Sequence, residues 1–252
     1  MNKKICVVEA DINRNRDPDA IRLMCFSDTH GRHNNIKKEN IHQCDIAICA
    51  GDFSLWGNPS EVRSFLTFIK GLPAKHKIII AGNLDLTFDK ERLSLFSQTF
   101  EENEFGDDTN SIKDEFINDQ SVNYLENSSI ELEGIKFYGS PYTPNFGDFG
   151  FPTYSNTAED VWSNIPLNTD VLITHGPPHL ILDRTNSGFR AGCPFLRKRI
   201  EQVVPSLVLF GHIHEAHGCE KIGDTIYSNV SVVDFNRYVV HSPTYFDIIK
   251  RG

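Results

Sequence analysis

Apolar residues gather in nine short segments of this 252-residue chain, at 5–10, 21–28, 45–52, 77–83, 130–140, 170–176, 206–212, 224–231 and 244–249. Their length and their Val, Ile and aromatic content read as β-strands. Several, such as "RLMCF", "IAICA" and "LVLF", are continuously apolar. That pattern fits central strands covered on both faces. Helical spacing falls between them and is clearest in "NPSEVRSFLTFIKGL", where Val62, Phe65, Leu66 and Ile69 form one apolar face. Asn58 can cap this helix, Pro59 suits its first turn and Gly71 can end it. Weaker helical patterns are "DKERLSLFSQTF", "TAEDVWSNI" and "CPFLRKRIEQVV". Strand–helix–strand units fill the first half, and "IELEGIKFYGS" and "GCEKIGDTIYSNVS" read as antiparallel hairpins. The expected class is therefore α/β with some antiparallel strands. The stretch "EENEFGDDTNSIKDE" is acidic and polar and is expected to be a solvated loop. No repeat or composition break divides the chain, so one domain over 1–252 is expected.

The net charge of −9 argues against a basic groove for duplex nucleic acid. It leaves room for a small anionic substrate if bound cations supply the positive charge. The N-terminal apolar stretch is far too short for a signal-peptide core, and no run approaches a membrane span. Six scattered cysteines without a C-x-x-C pair point to reduced thiols and a cytoplasmic protein, with Cys25 and Cys49 buried. The 18 phenylalanines are expected mainly in the core.

The chemistry lies where the strands end. "IRLMCFSDTHG" runs into Asp28 and His30, "DIAICAGD" into Asp52, and "KIIIAGN" into Asn83. "DVLITHG" runs into His175, and "SLVLFGHIH" into His212 and His214. Any one of these has an ordinary reading as a polar loop residue. Seven at five strand ends, mostly beside glycine, fit a site at the carboxyl ends of the strands. Carboxylates and imidazoles packed together need a cation. Oxygen and nitrogen donors without thiolate suit Mn²⁺, Fe or Zn²⁺, and Mg²⁺ less well. Seven side chains exceed one tetrahedral site and fit two metals sharing a carboxylate.

The blocks "SDTHG", "AGD", "GN", "THGPP" and "GHIH", in this order, resemble the calcineurin-like metallophosphoesterases. "AGDFSLWGNPSEVRSFLTFIKGLPAKHKIIIAGNLDLTFDKE" and "YGSPYTPNFG" resemble their metallophosphoesterase-domain-containing (MPPED) branch. The resemblance spans about 21–248. It implies a four-layer sandwich of two mixed sheets face to face with helices outside. It also implies that Asp28, His30 and His214 hold one metal, that Asn83, His175 and His212 hold a second, and that Asp52 bridges them. His212 and His214 would thus serve different ions. The family's "GNH" reads "GNL" here, so Leu84 stands where a histidine would contact the scissile phosphate and assist the leaving group. Leucine can do neither.

The expected activity is hydrolysis of nucleotide-type phosphodiesters, cyclic ones among the candidates, by attack of a water bridging the two cations. The alternatives are a weakly active metal- or nucleotide-binding or protein-interaction homologue, favoured by Leu84, and a phosphomonoesterase. His179, His217 and Tyr142 are candidates for contact with substrate, and Phe146 and Phe149 for stacking on a base. His33, His42, His76 and His241 are expected at the surface.

Overall fold

The computed structural model describes residues 4–12, 16–97, 109–147 and 149–251. Two six-stranded sheets form its centre. The first contains β1 (Lys4–Glu9), β2 (Ile21–Phe26), β3 (Cys44–Ala50), β4 (Ala74–Ile80), β5 (Asn123–Tyr124) and β14 (Thr244–Arg251). Its order is β1-β14-β2-β3-β4-β5. Strands β2 to β5 run parallel, while β14 is antiparallel to both its neighbours. The second contains β6 (Ser128–Leu132), β7 (Ile135–Ser140), β10 (Val171–Thr174), β11 (Leu207–Phe210), β12 (Gly218–Ile222) and β13 (Thr225–Asn229). Its order is β12-β13-β11-β10-β7-β6, with parallel strands in the middle and the two expected hairpins at its edges. The short pair β8 (Thr143–Pro144) and β9 (Pro152–Thr153) ties down the base of a loop between them.

Alternation along the continuously apolar strands produces the layers. Leu23, Cys25, Ile46, Ile48, Ile78 and Ile80 face Phe137, Val171, Ile173, Leu207 and Leu209 between the sheets. The intervening Met24, Phe26, Ala47, Cys49 and Ile79 point the other way, against helices α1 (Pro59–Gly71) and α3 (Thr109–Ile117). Tyr138, Leu172, Val208 and Phe210 do the same on the second sheet, packing on α4 (Ala158–Ser163) and α5 (Pro194–Val203). The result is helix, sheet, sheet, helix, as expected.

Helix α1 starts as its sequence requires. The Asn58 side chain accepts from the Ser60 N–H, and Pro59 occupies the first turn. The helix stops at Gly71 by an extended Leu72, without a left-handed glycine. A further helix, α2, spans Lys90–Ser97.

Two expectations fail here. Part of the acidic stretch is helix α3, because Ile112 and Phe116 sit one turn apart and are both buried. Each contributes about 1.5–3 kcal/mol of burial, which outweighs the polar residues around it. Residues 101–108 of that stretch, and the end of the pattern following α2, lie outside the described residues. His33 is fully buried rather than at the surface, wedged 5.7 Å from the Phe65 ring and 5.1 Å from Phe68, with Nε2 3.0 Å from Ser64 Oγ. His42, His76 and His241 are half-buried. None of the six cysteines forms a disulfide, and Cys25 and Cys49 are buried. Among the described residues, no helix is long and apolar enough to cross a membrane.

Candidate metal centre

The parallel strands β2, β3 and β4 of one sheet and β10 and β11 of the other end at a common rim, and all seven strand-end residues meet there. Backbone hydrogen bonds lace the loops together. The Asp28 N–H donates to the Gly51 carbonyl (2.9 Å), His30 N–H to the Asp52 carbonyl (3.0 Å), and Gly211 N–H to the His175 carbonyl (3.0 Å). The His212 N–H donates to both oxygens of Asp28, at 3.1 Å each. Asp28, His30, Asp52 and His212 all have left-handed backbones, with φ of 58°, 44°, 51° and 68°. Non-glycine residues in that region are strained, and such strain gathers at functional sites.

Two groups of donor atoms result. Asp28, His30 and His214 form one, and Asp52, His175 and His212 the other, with the atoms of each group within 4.8 Å of one another. In the first, His30 Nε2 is 3.0 Å from His214 Nε2, and His214 Nε2 is 3.6 Å from Asp28 Oδ1. In the second, His175 Nε2 is 2.9 Å from Asn83 Oδ1 and 3.4 Å from Asp52 Oδ1. Bonds of about 2.0–2.2 Å to one ion place neighbouring donors roughly 3–3.5 Å apart, so these spacings suit a shared cation.

The hydrogen-bond inventory supports the same fit. His175 Nδ1 contacts the Ala50 carbonyl at 2.9 Å, which directs the ring proton there and leaves Nε2 facing two acceptor oxygens. His30 Nδ1 is buried with no hydrogen-bond partner. Mutually facing acceptors such as these need a cation, a metal ion or a proton, between them.

Protons show the same demand electrostatically. Burial works to raise the Asp28 and Asp52 carboxyls, but His214 at Asp28 and His175 at Asp52 hold both below the ordinary range. Burial opposes charge on His175, yet Asp52 lifts it to about 9, and His214 is raised against burial by Asp28. His30 and His212 lack such close carboxylate support, and burial lowers both to about 4.

Glycine explains how the loops approach so closely. A Cβ on Gly82 would lie 2.3 Å from Asp52 Oδ1, and one on Gly211 would lie 2.2 Å from both Asp28 Oδ2 and Ser27 Oγ.

Leu84 is only 4% exposed, and its N–H donates to Asp52 Oδ1 at 2.8 Å. Its backbone therefore orients Asp52, while its side chain offers no polar atom.

Two supporting residues lie in or beside the motif blocks without an assigned role. Ser27 Oγ donates to Asp28 Oδ2 at 2.5 Å. Buried Asp85 accepts from Ser54 N–H (2.9 Å), Ser54 Oγ (2.6 Å) and Gly82 N–H (2.8 Å), joining the loops after β3 and β4. Ser27 opens the "SDTHG" block and Asp85 follows "GNL", so their place in the sequence is the available signal.

A cavity of 830 Å³ opens beside His212 and His214, with Phe146, Phe189, Phe235 and Arg237 among its walls. Tyr142, His179 and His217 are not among the residues lining it. Tyr142 packs edge-on to Phe151, His179 Nδ1 is 3.5 Å from buried Asp183, and His217 stacks on His241 with Nδ1 2.8 Å from the Ser231 carbonyl. Phe146 is 67% exposed, stacks on Phe149 and points edgewise at the His212 ring.

Layered sheets with acidic and histidine side chains converging at their strand ends define a metallophosphoesterase fold. Residues 21–216 match the calcineurin-like phosphoesterase family, and the chain belongs to it. Metallophosphoesterase domain-containing protein 1 from Homo sapiens is 38% identical over 242 residues, 92% of this chain and 72% of that protein, and the Mus musculus protein matches equally. Among solved structures, phosphopantetheinyl hydrolase from Mycobacterium tuberculosis superposes with a TM-score of 0.59 at 14% identity, covering 88% of this chain and 92% of that one. TT1561 of Thermus thermophilus does so at 0.54 and 11%, covering 83% and 88%. These two likenesses speak for the fold alone.

Proposed function

We propose that this chain hydrolyses phosphodiesters of the nucleotide type at a two-cation site. The observation that carries the reading is the convergence of two donor groups at one rim, with Asp52 and Asn83 among them. Two divalent ions bound there, Mn, Fe or Zn by donor chemistry and Mg less readily, would polarise phosphoryl oxygens and acidify a water. In this reading Asp28, His30 and His214 would hold one ion, Asn83, His175 and His212 would hold the other, and Asp52 would serve both. The Leu84 N–H and the close-packed Gly82 keep Asp52 oriented. The Asn83 amide NH₂ makes no hydrogen bond among the described residues and is available to a phosphoryl oxygen. Phe146 supplies an exposed ring beside His212, where a base can stack for about 1–3 kcal/mol. Six cysteines without a disulfide support work in the cytoplasm on a small phosphoester, and the net charge of −9 argues against duplex nucleic acid.

Leu84 favours a second reading, a homologue that binds metal and nucleotide with little turnover. One assay separates the readings. Protein loaded with Mn²⁺ is tested on aryl and 2′,3′-cyclic phosphodiesters against the matching monoesters. Faster turnover of the diesters is expected. Tight nucleotide binding without turnover of any ester would establish the second reading, and a preference for monoesters would establish a phosphomonoesterase.

A further inference from the structure

Arg237 stands out within the cavity beside His212 and His214. It lies in the turn from Asp234 to Tyr238, outside every motif block. Three hydrogen bonds close that turn. Asp234 N–H donates to the Tyr238 carbonyl (3.0 Å), Arg237 N–H to the Asp234 carbonyl (2.9 Å), and Tyr238 N–H to Asp234 Oδ1 (2.9 Å). The turn holds Arg237 at φ 60°, in the left-handed region. That conformation suits glycine better than arginine.

Arg237 is half-buried, and its guanidinium makes no hydrogen bond or ion pair among the described residues. The neighbouring cavity arginine differs. Arg190 is committed to Asp183, with Nη1 2.7 Å from Oδ1. Arg237 shares its cavity with His212 and His214, one from each group of donor atoms. An unpaired cation beside a cation-binding site is repelled unless an anion lies between them. A strained, half-buried arginine without a partner therefore marks the place of a bound anion.

We propose that Arg237 is a substrate-binding residue that grips the phosphoryl oxygens through its guanidinium, in the cavity beside His212 and His214. It would supply the charged contact with the phosphate that Leu84 cannot. The aromatic walls then receive the organic part of the ester, since Phe146, Phe189 and Phe235 are 67%, 68% and 67% exposed around the same cavity. The preferred ligand is thus a phosphoester with a flat apolar substituent. This assignment rests on the phosphoesterase reading above.

The test compares wild type, R237A and R237K, all loaded with Mn²⁺. Orthophosphate binding is measured by isothermal titration, metal content by elemental analysis, and turnover on an aryl phosphodiester. In R237A, orthophosphate affinity and kcat/KM are each expected to fall about 10–100-fold, the range of a lost charge-assisted contact. R237K should fall between, because a lysine offers a point charge without the planar fork. Metal content and the thermal midpoint should stay at wild-type values. Unchanged phosphate affinity in R237A, with an active wild type, would overturn the role of Arg237. Loss of metal from both variants would also overturn it, by making Arg237 a support of the metal site. A wild type that neither binds orthophosphate nor turns over any ester would instead overturn the phosphoesterase reading. If R237A fails to fold, wild-type phosphate affinity in a folded R237K would refute the fork contact.

Discussion

Gly82→Ala isolates the close approach that the site depends on. Gly82 does not have a positive φ, so alanine suits its backbone and only the new methyl acts. That Cβ would lie 2.3 Å from Asp52 Oδ1, 2.5 Å from the Asp52 backbone nitrogen and 2.7 Å from His175 Cε1. The first contact is about 1 Å short of ordinary van der Waals separation. Two of the three atoms belong to backbone or to a packed ring, so the Asp52 side chain or the Gly82 loop must move. Overpacking of this kind costs about 1–3 kcal/mol. A constellation of this type tolerates about 0.5 Å of displacement, and an error of about 1 Å costs on the order of 10²-fold in rate. We expect Mn²⁺ affinity to fall about 10-fold or more and aryl phosphodiesterase turnover about 10²-fold, with a thermal midpoint roughly 2–10 °C lower. Gly71→Ala is the control, because a Cβ there meets nothing within 4 Å and alanine suits a helix end. It should match or slightly exceed wild-type stability. Titration calorimetry with Mn²⁺, turnover and circular dichroism melts measure all three quantities. A Gly82→Ala protein with wild-type metal affinity and turnover would refute the claim that this glycine sets the geometry of Asp52.

Three further outcomes are expected. Leu84→His should raise turnover most for alkyl phosphodiesters and least for aryl ones, by up to about 10²–10⁴. A plot of kcat/KM against leaving-group pKa should flatten, and equal gains on all esters would point to phosphate binding instead of proton donation. Burial lowers His33 to about 4, so the folded protein binds fewer protons than the unfolded chain between that value and about 6.5. Its contribution is therefore complete above about pH 6.5 and is lost as pH falls toward 4, on the order of 3 kcal/mol. Urea midpoints of His33→Phe should fall less steeply over that range than those of wild type; parallel profiles would clear His33 of the effect. Asp247→Ala should cost about 3–5 kcal/mol in denaturant melts. It strands buried Arg22, whose Nε and Nη2 each lie 2.8 Å from an Asp247 oxygen. A loss below about 1 kcal/mol would mean that water reaches the guanidinium.

The sequence by itself determined the strands and the acidic and histidine residues at their ends, because both are local. A run such as "IAICA" is apolar on both faces wherever it pairs, and Asp52 follows it by covalent connection. Hairpins at 128–140 and 218–229 were equally legible, since their partners are adjacent in the chain. Only the tertiary structure decided what depends on distant segments. Helix α3 exists because Ile112 and Phe116 find the aromatic cluster of Phe53 and Phe88, which its own polar sequence does not announce. His33 is buried because α1 brings Phe65 and Phe68 against it. The partners Arg22 and Asp247 meet through the pairing of β2 with β14, 225 positions apart. Arg237 lies in a turn that no motif marks, and the cavity beside His214 forms where that turn meets loops following β7, β10 and β11. A strand or a ligand position is a property of a few consecutive residues. Burial, pairing and the walls of a cavity belong to the whole chain, because each is made by segments that meet only on folding.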